Sequence, residues 1–313
     1  MLSRRNLRVK VMQFIYAHER GSFNSPSAAK QSLLANVTQT YELGLYILYF
    51  LRKVAQYAQK EADMKGAKHL PTAADLSFST RLAENEFVLE LEQHKLFNNE
   101  LNKYEVDKIE FDDANRKFFR ELAVAPEYKA YIEMPNPSVK EHVKIIKFLF
   151  NKILLPSEVF TQHLEEEFSN WIDDHQVVTY RLNDFLENYT IGKSLDKITD
   201  LNVEVDDREF VNELFQFTLD HQAYFSELIE PKLENWDVER IAILDLILMK
   251  MALCELLYFP MIPVKVTINE YIEIAKLYST PKSKDFVNGV LDKIMKELKD
   301  SGSIRKSGRG LQG

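Results

Sequence analysis

The stretch WDVERIAILDLILMKMALCELLYF, residues 236–259, decides the fold class. From Ile241 to Phe259 nearly every residue is apolar on all sides of a helical wheel, the pattern of a helix buried on most of its circumference. Asp245, Lys250 and Glu255 interrupt the run, and three charges in that length argue against a membrane span. Pro260 and Pro263 then end the helix, because proline disfavours the helical conformation of the residue before it. Thr267 and Glu270 follow at capping-box spacing and predict a second helix from Ile268 to about Tyr278. Ser279, Thr280 and Pro281 break it, and Ser283 is placed to cap a third helix, KDFVNGVLDKIMKEL.

Composition agrees with this all-α reading. The 313 residues are 45% hydrophobic, enough for a substantial core, and the 9 glycines leave few hairpin turns. No series of alternating strands is present. A net charge of −8 argues against indiscriminate nucleic-acid binding but leaves room for a local basic site. The single cysteine, Cys254, lies in the apolar helix and reads as a small buried hydrophobe. It allows no internal disulfide. The N-terminus carries arginines without an apolar core of a signal, so a cytoplasmic location is expected.

Outward from the central stretch, a first helix is predicted over Ser3 to Glu19, with Leu7, Val11, Phe14 and Ile15 as its apolar stripe. Arg4 and Arg8 share the angle of Val11 and Ile15, so the stripe turns from cationic to apolar along the helix. Cations at a helix N-terminus oppose its macrodipole by about 0.3–1 kcal/mol each, so stability does not ask for them there. A second, long helix runs from Pro26 to about Ala62, its aromatic segment YELGLYILYFLRKVAQYA reading as core. Further helices are expected over Leu82–Phe97, 112–122, Ser138–Leu155, Ser157–Asp173, Val177–Tyr189, and from Asp206 to just before Pro231. The Gly/Ser/basic tail, residues 301–313, reads as disordered.

The order and spacing of several motifs resemble the NusB family of transcription antitermination factors. They are W-x-V-x-R-I in 236–241, D-x-x-L-x-K-x-A-x-C-E-L in 245–256, P-V-K-V-x-I-N-E-x-x-E-x-A-K in 263–276, and F-V-N-G-V-L-D-K in 286–293. The likeness extends to Arg4–Tyr16 and, more loosely, to Asp206–Leu233, and is absent over most of 60–200. The resemblance implies two NusB-like helical bundles with a helical insertion in the first. The parts would be 1–62 and 206–235 for the N-terminal bundle, 63–205 for the insertion, and 236–300 for the C-terminal bundle.

No enzyme signature is present: no Walker A loop, no G-x-G-x-x-G, no nucleophile elbow and no metal-ligand spacing. Neither a catalytic function nor a cofactor is therefore expected. The acidic and histidine run His163, Glu165, Glu166, Glu167, Asp173, Asp174 and His175 reads as a solvated helix face. In the last helix, Phe286, Gly289 and Lys293 lie on one flank of the core stripe, with Lys282 and Lys284 just before. An aromatic, a small residue and cations on one flank suit a stacked base with its phosphate beside a lysine. The alternative is that Phe286 edges the core and Gly289 allows close helix packing. The resemblance favours RNA and implies that Arg4, Arg5 and Arg8 join Lys282, Lys284, Phe286, Gly289 and Lys293 in one basic strip. Asp245 and Glu255, costly to bury unpaired, are expected either to pair internally with Lys250, Lys265 or Arg240 or to face a basic partner. The resemblance names that partner as the ribosomal protein NusE, in an RNA polymerase antitermination complex on boxA-like single-stranded RNA. A helical protein-interaction scaffold without RNA binding is the other reading.

Overall fold

Ser3 opens the first helix: its hydroxyl accepts a hydrogen bond from the Asn6 amide and caps α1, Arg4–Glu19. The computed structural model describes residues 2–111, 113–233 and 241–311, so the W-x-V-x-R motif at 236–240 lies outside the described residues. After α1 comes α2, Pro26–Gly66, with proline at the first helical position, where its missing N–H costs nothing. The chain continues through α3 (Ala73–Leu76), α4 (Glu86–Gln93), α5 (Lys95–Lys103), α6 (Ala114–Val124), α7 (Pro126–Glu133) and α8 (Val139–Phe148). Then follow α9 (Glu158–Glu167), α10 (Trp171–Glu187), α11 (Val205–Asp220), α12 (Gln222–Ile229), α13 (Ile243–Tyr258), α14 (Val264–Tyr278) and α15 (Ser283–Asp300). Among the described residues there is no strand, and the fold is all-α.

The chain divides into two compact units, one made of Thr38–Asn202 and the other of Leu2–Val37 with Val203–Gly313. Residues 2–37 and 206–235 of the expected N-terminal bundle thus share one unit with the expected C-terminal bundle, while residues 38–62 belong to the other. The division lies inside α2, between Val37 and Thr38, rather than at residue 63.

In the Thr38–Asn202 unit the second half of α2 is the axis. Leu43 and the run Leu45, Tyr46, Ile47 and Leu48 are buried, so this part of the helix is enclosed on all sides. Phe50 stacks on Phe160 at 5.2 Å and meets Phe118 edge-on at 6.0 Å. Some expected boundaries shift here. The helix expected over Leu82–Phe97 is two, because His94 both ends α4 and caps α5 through a ring nitrogen that accepts from the Phe97 amide. The helix from Ser138 does reach Leu154, but through a π-helical turn over Leu149–Leu154. The helix after Ser157 stops at Glu167, and the next begins at Trp171 rather than Val177. Asn170, at that break, donates to the buried Asp174 at 2.7 Å, and the Thr40 hydroxyl donates to the same carboxylate at 2.5 Å.

In the other unit α13 is the axis, buried at every position from Met251 to Leu256. It packs against α1, α11, α12, α14 and α15. The helix expected from Asp206 to Pro231 is broken at His221 into α11 and α12. The second helix of the C-terminal stretch starts at Val264, not Ile268, with Pro263 as its N-cap. Thr267 is therefore no cap. It sits inside α14, fully buried, because its hydroxyl serves a buried carboxylate on α13.

The tail expected to be disordered is folded back over its described residues. Lys306 donates to the carbonyl oxygens of Glu255 and Phe259, at 3.1 and 2.9 Å, and so caps the C-terminal end of α13. Burial pushes its ammonium pKa down to about 8. The Ser307 amide donates to the Pro260 carbonyl at 3.0 Å.

Candidate functional site

The arginines of α1 are each answered by a carboxylate from far along the chain. Arg4 Nε reaches Asp207 at 2.7 Å, with its guanidinium 4.5 Å above the Phe210 ring. Arg5 makes a two-pronged bond to Glu270, 2.8 Å on each prong. That bond raises the Arg5 pKa and holds Glu270 below the ordinary carboxylate value. Both arginines remain partly open, with side chains 44% and 43% exposed.

Arg8 is different, and here the expected role fails. It is 2% exposed and bonded through Nε and a terminal nitrogen to the two oxygens of Glu255, 2.8 Å each. Glu255 is fully buried and also accepts from Thr267 at 2.7 Å and Tyr271 at 3.3 Å. Four donors satisfy the carboxylate, which is what makes a charge tolerable inside a protein. Burial works against the Arg8 charge, but the Glu255 bonds and charge override it, so the pKa rises. The Tyr271 hydroxyl is pushed well up by burial and then by the Glu255 charge. Arg8 is thus not an RNA-facing cation and Glu255 is not a partner-facing carboxylate; they are each other's partners. The signal was in the sequence: a cation on an apolar stripe and a carboxylate on an apolar helix.

Asp245 is also internal, 4% exposed, with one oxygen accepting from the Ser283 hydroxyl at 2.6 Å. Its other oxygen has no hydrogen-bond partner among the described residues. Burial removes it as a partner-facing charge. Of the expected pairing residues, Arg240 lies outside the described residues and Lys265 is exposed.

The start of α15 presents the opposite picture. Lys282, Lys284 and Lys293 are exposed, and none makes an ion pair among the described residues. Gly289 is exposed between them, and a Cβ built on it would meet nothing within 4 Å. Internal packing therefore does not require a glycine, although glycine inside a helix costs roughly 1 kcal/mol relative to alanine. Phe286 is 7% exposed and edges the core, so it offers no open ring for a base.

The two clusters are anchored apart along α13. Arg8 is held at Glu255 and Ser283 at Asp245, and ten residues of α13 make about 15 Å of helix axis between those anchors. Of the His163 run, His163 and Asp174 are buried, while Glu165, Glu166, Glu167, Asp173 and His175 are exposed as expected; His163 stacks on Phe111 at 3.9 Å and meets the Tyr46 hydroxyl at 2.5 Å. Cys254 is buried, its thiol pushed up to about 12 by burial. Among the described residues no group of three or more His, Cys, Asp or Glu is placed to hold a metal ion. No helix among them is long and apolar enough to cross a membrane.

The comparisons with known proteins fall on the α13–α15 side of the chain. A model of the NusB family matches residues 173–296, which leaves α1 outside the match. The transcription antitermination protein NusB of Salinibacter ruber is 49% identical over 106 residues, 34% of this chain and 66% of the relative. That of Chloroherpeton thalassium is 41% identical over 112 residues, 36% of this chain and 53% of the relative. The match thus covers less than two thirds of either relative's length. That of Thermodesulfovibrio yellowstonii is 37% identical over 114 residues, 35% of this chain and 76% of the relative. No solved structure matches the chain significantly. With a relative 37% identical and covered over 76% of its length, and a family model matched across α11 to α15, the chain belongs to the NusB family.

Proposed function

We propose that the chain is a transcription antitermination factor that binds boxA-like single-stranded RNA together with NusE. In an RNA polymerase antitermination complex it would promote processive transcription of ribosomal RNA operons. The observation that carries this reading is the outer face of α15. A helix-interior glycine with open space over it, beside lysines that no carboxylate among the described residues answers, is not called for by packing among those residues. It suits a ligand backbone that approaches closely and carries negative charge. Lys282, Lys284 and Lys293 contact phosphate, and Gly289 lets the strand lie against the helix. Arg4 and Arg5, half open at the head of α1, add charge after their carboxylates are met. The chain works by binding and positioning, with no bond chemistry.

The test is titration of labelled boxA-type RNA, with and without NusE, for wild type and Gly289→Leu. The leucine enters open space and improves helix propensity, so stability should hold or rise by up to about 1 kcal/mol while RNA affinity falls. Unchanged RNA affinity in a folded Gly289→Leu protein would remove the α15 face as the RNA site. Binding of NusE with no RNA binding at all would leave the chain a protein-interaction scaffold.

A further inference from the structure

The head of α1 borders an open groove of about 1240 Å³, and one of its lining residues, Arg309, comes from the C-terminal tail. Arg4, Arg5 and Arg309 line it together with Met261 and Val266, and it also holds two carboxylates, Asp206 and the Glu270 already bonded to Arg5. Arg309 is held there by its neighbours. Gly308 has φ +53°, and a Cβ on it would fall 2.8 Å from the end of Met261. A Cβ on Gly310 would fall 1.9 Å from the Pro260 carbonyl oxygen, backbone that cannot yield. Glycine is therefore required at 310 by the Pro260 backbone and favoured at 308 by its positive φ. Lys306 and Ser307 tie the approach to the C-terminal end of α13. The result is an exposed arginine that makes no ion pair among the described residues, set beside two arginines that already have carboxylates.

We propose that Arg309 is a phosphate-binding residue for the single-stranded RNA, and that the docked tail thereby completes the groove at the head of α1. This rests on the RNA-binding reading above and adds a contact from a segment beyond the family match, which ends at residue 296. Charge complementarity favours a polyanion: the guanidinium fork pairs with phosphate in two-pronged fashion, and an unanswered cation is the one with its full valence to give. The apolar residues of the groove are open enough for the less polar face of a nucleotide, with Met261 53% exposed.

The experiment measures binding of a labelled boxA-type single-stranded RNA against salt for four full-length proteins. These are wild type, Arg309→Gln, Gly310→Ala, which undocks the tail but keeps every charge, and Arg305→Gln, an exposed tail arginine outside the groove. Arg309→Gln should weaken binding about threefold to tenfold and reduce the salt slope by about 0.7. Gly310→Ala should do the same, and Arg305→Gln should match wild type. Wild-type affinity in Arg309→Gln, or an equal loss in Arg305→Gln, overturns the placed contact. Should Gly310→Ala fail to fold, the two arginine variants still decide. If Lys282→Gln and Lys284→Gln, measured alongside these four, weaken RNA binding while Arg309→Gln does not, the tail contact falls and the proposed function stands. No RNA binding by wild type overturns both. Loss of polyglutamate binding in Arg309→Gln, with RNA binding intact, would give the groove to an acidic protein and overturn the RNA assignment.

Discussion

The first helix and the last begin with comparable positive charge, yet they use it in opposite ways. At the head of α1, Arg4, Arg5 and Arg8 meet Asp207, Glu270 and Glu255, all supplied from more than 190 residues away. At the head of α15, Lys282 and Lys284 meet no carboxylate among the described residues. A cation in a sequence is therefore not yet a free charge; what the rest of the chain brings to it decides whether it holds the fold or waits for a ligand. The guanidinium fork suits the first task, because it can bond a carboxylate on two prongs in the interior. A hydrated ammonium on a flexible stem suits the second.

The contrast can be broken most sharply at Arg8. Arg8→Ala strands the Glu255 charge inside the protein and should cost about 3–5 kcal/mol, read by urea denaturation. A loss below 1 kcal/mol would mean the pair is not buried as described. At the other head, replacing Lys282, Lys284 and Lys293 together by Gln should leave stability within about 0.5 kcal/mol. RNA affinity should fall about 10- to 100-fold, and the salt slope should drop by about 2 for three lost phosphate contacts. A triple variant that binds like wild type would equate the two heads.

Arg5 sharpens the comparison at its middle. Its pair with Glu270 is partly exposed, so Arg5→Gln should cost less than about 1 kcal/mol. The smallest effect is its pH dependence. Because Arg5 lowers the Glu270 pKa, the stabilisation is present above the unfolded carboxylate value of about 4.3 and is lost as pH falls through the folded value. The gap in melting temperature between wild type and Arg5→Gln should be flat near neutrality and close in acid. A gap that persists unchanged in acid would assign the effect to packing.

Much of the fold is written locally. The apolar run of α13, the prolines after it and the first helix beginning near Ser3 are readable because each acts within a few residues. The failures share a cause in long-range contact. Thr267 has the spacing of a cap, but Glu255 claims its hydroxyl from another helix. Ser301–Leu311 has the composition of a disordered tail, yet the carbonyl ends of α13 give Lys306 a place to bind. The breaks at His94, Phe168–Asn170 and His221 follow packing in three dimensions rather than proline or glycine. At the candidate site the residue types at the α15 head were legible, while the division between answered and unanswered cations was not. That division depends on carboxylates brought in from elsewhere in the chain.

The Arg8–Glu255 pair also sets an order of events during synthesis. The arginine leaves the ribosome 247 residues ahead of its partner, a wait of roughly 12–50 s at ordinary elongation rates. Within that interval the whole of Thr38–Asn202, a continuous segment with its own core, is made and is free to fold. The unit that holds Arg8 cannot close until α13 has emerged, so in a nascent chain the younger domain is complete in sequence while the older one still lacks its axis.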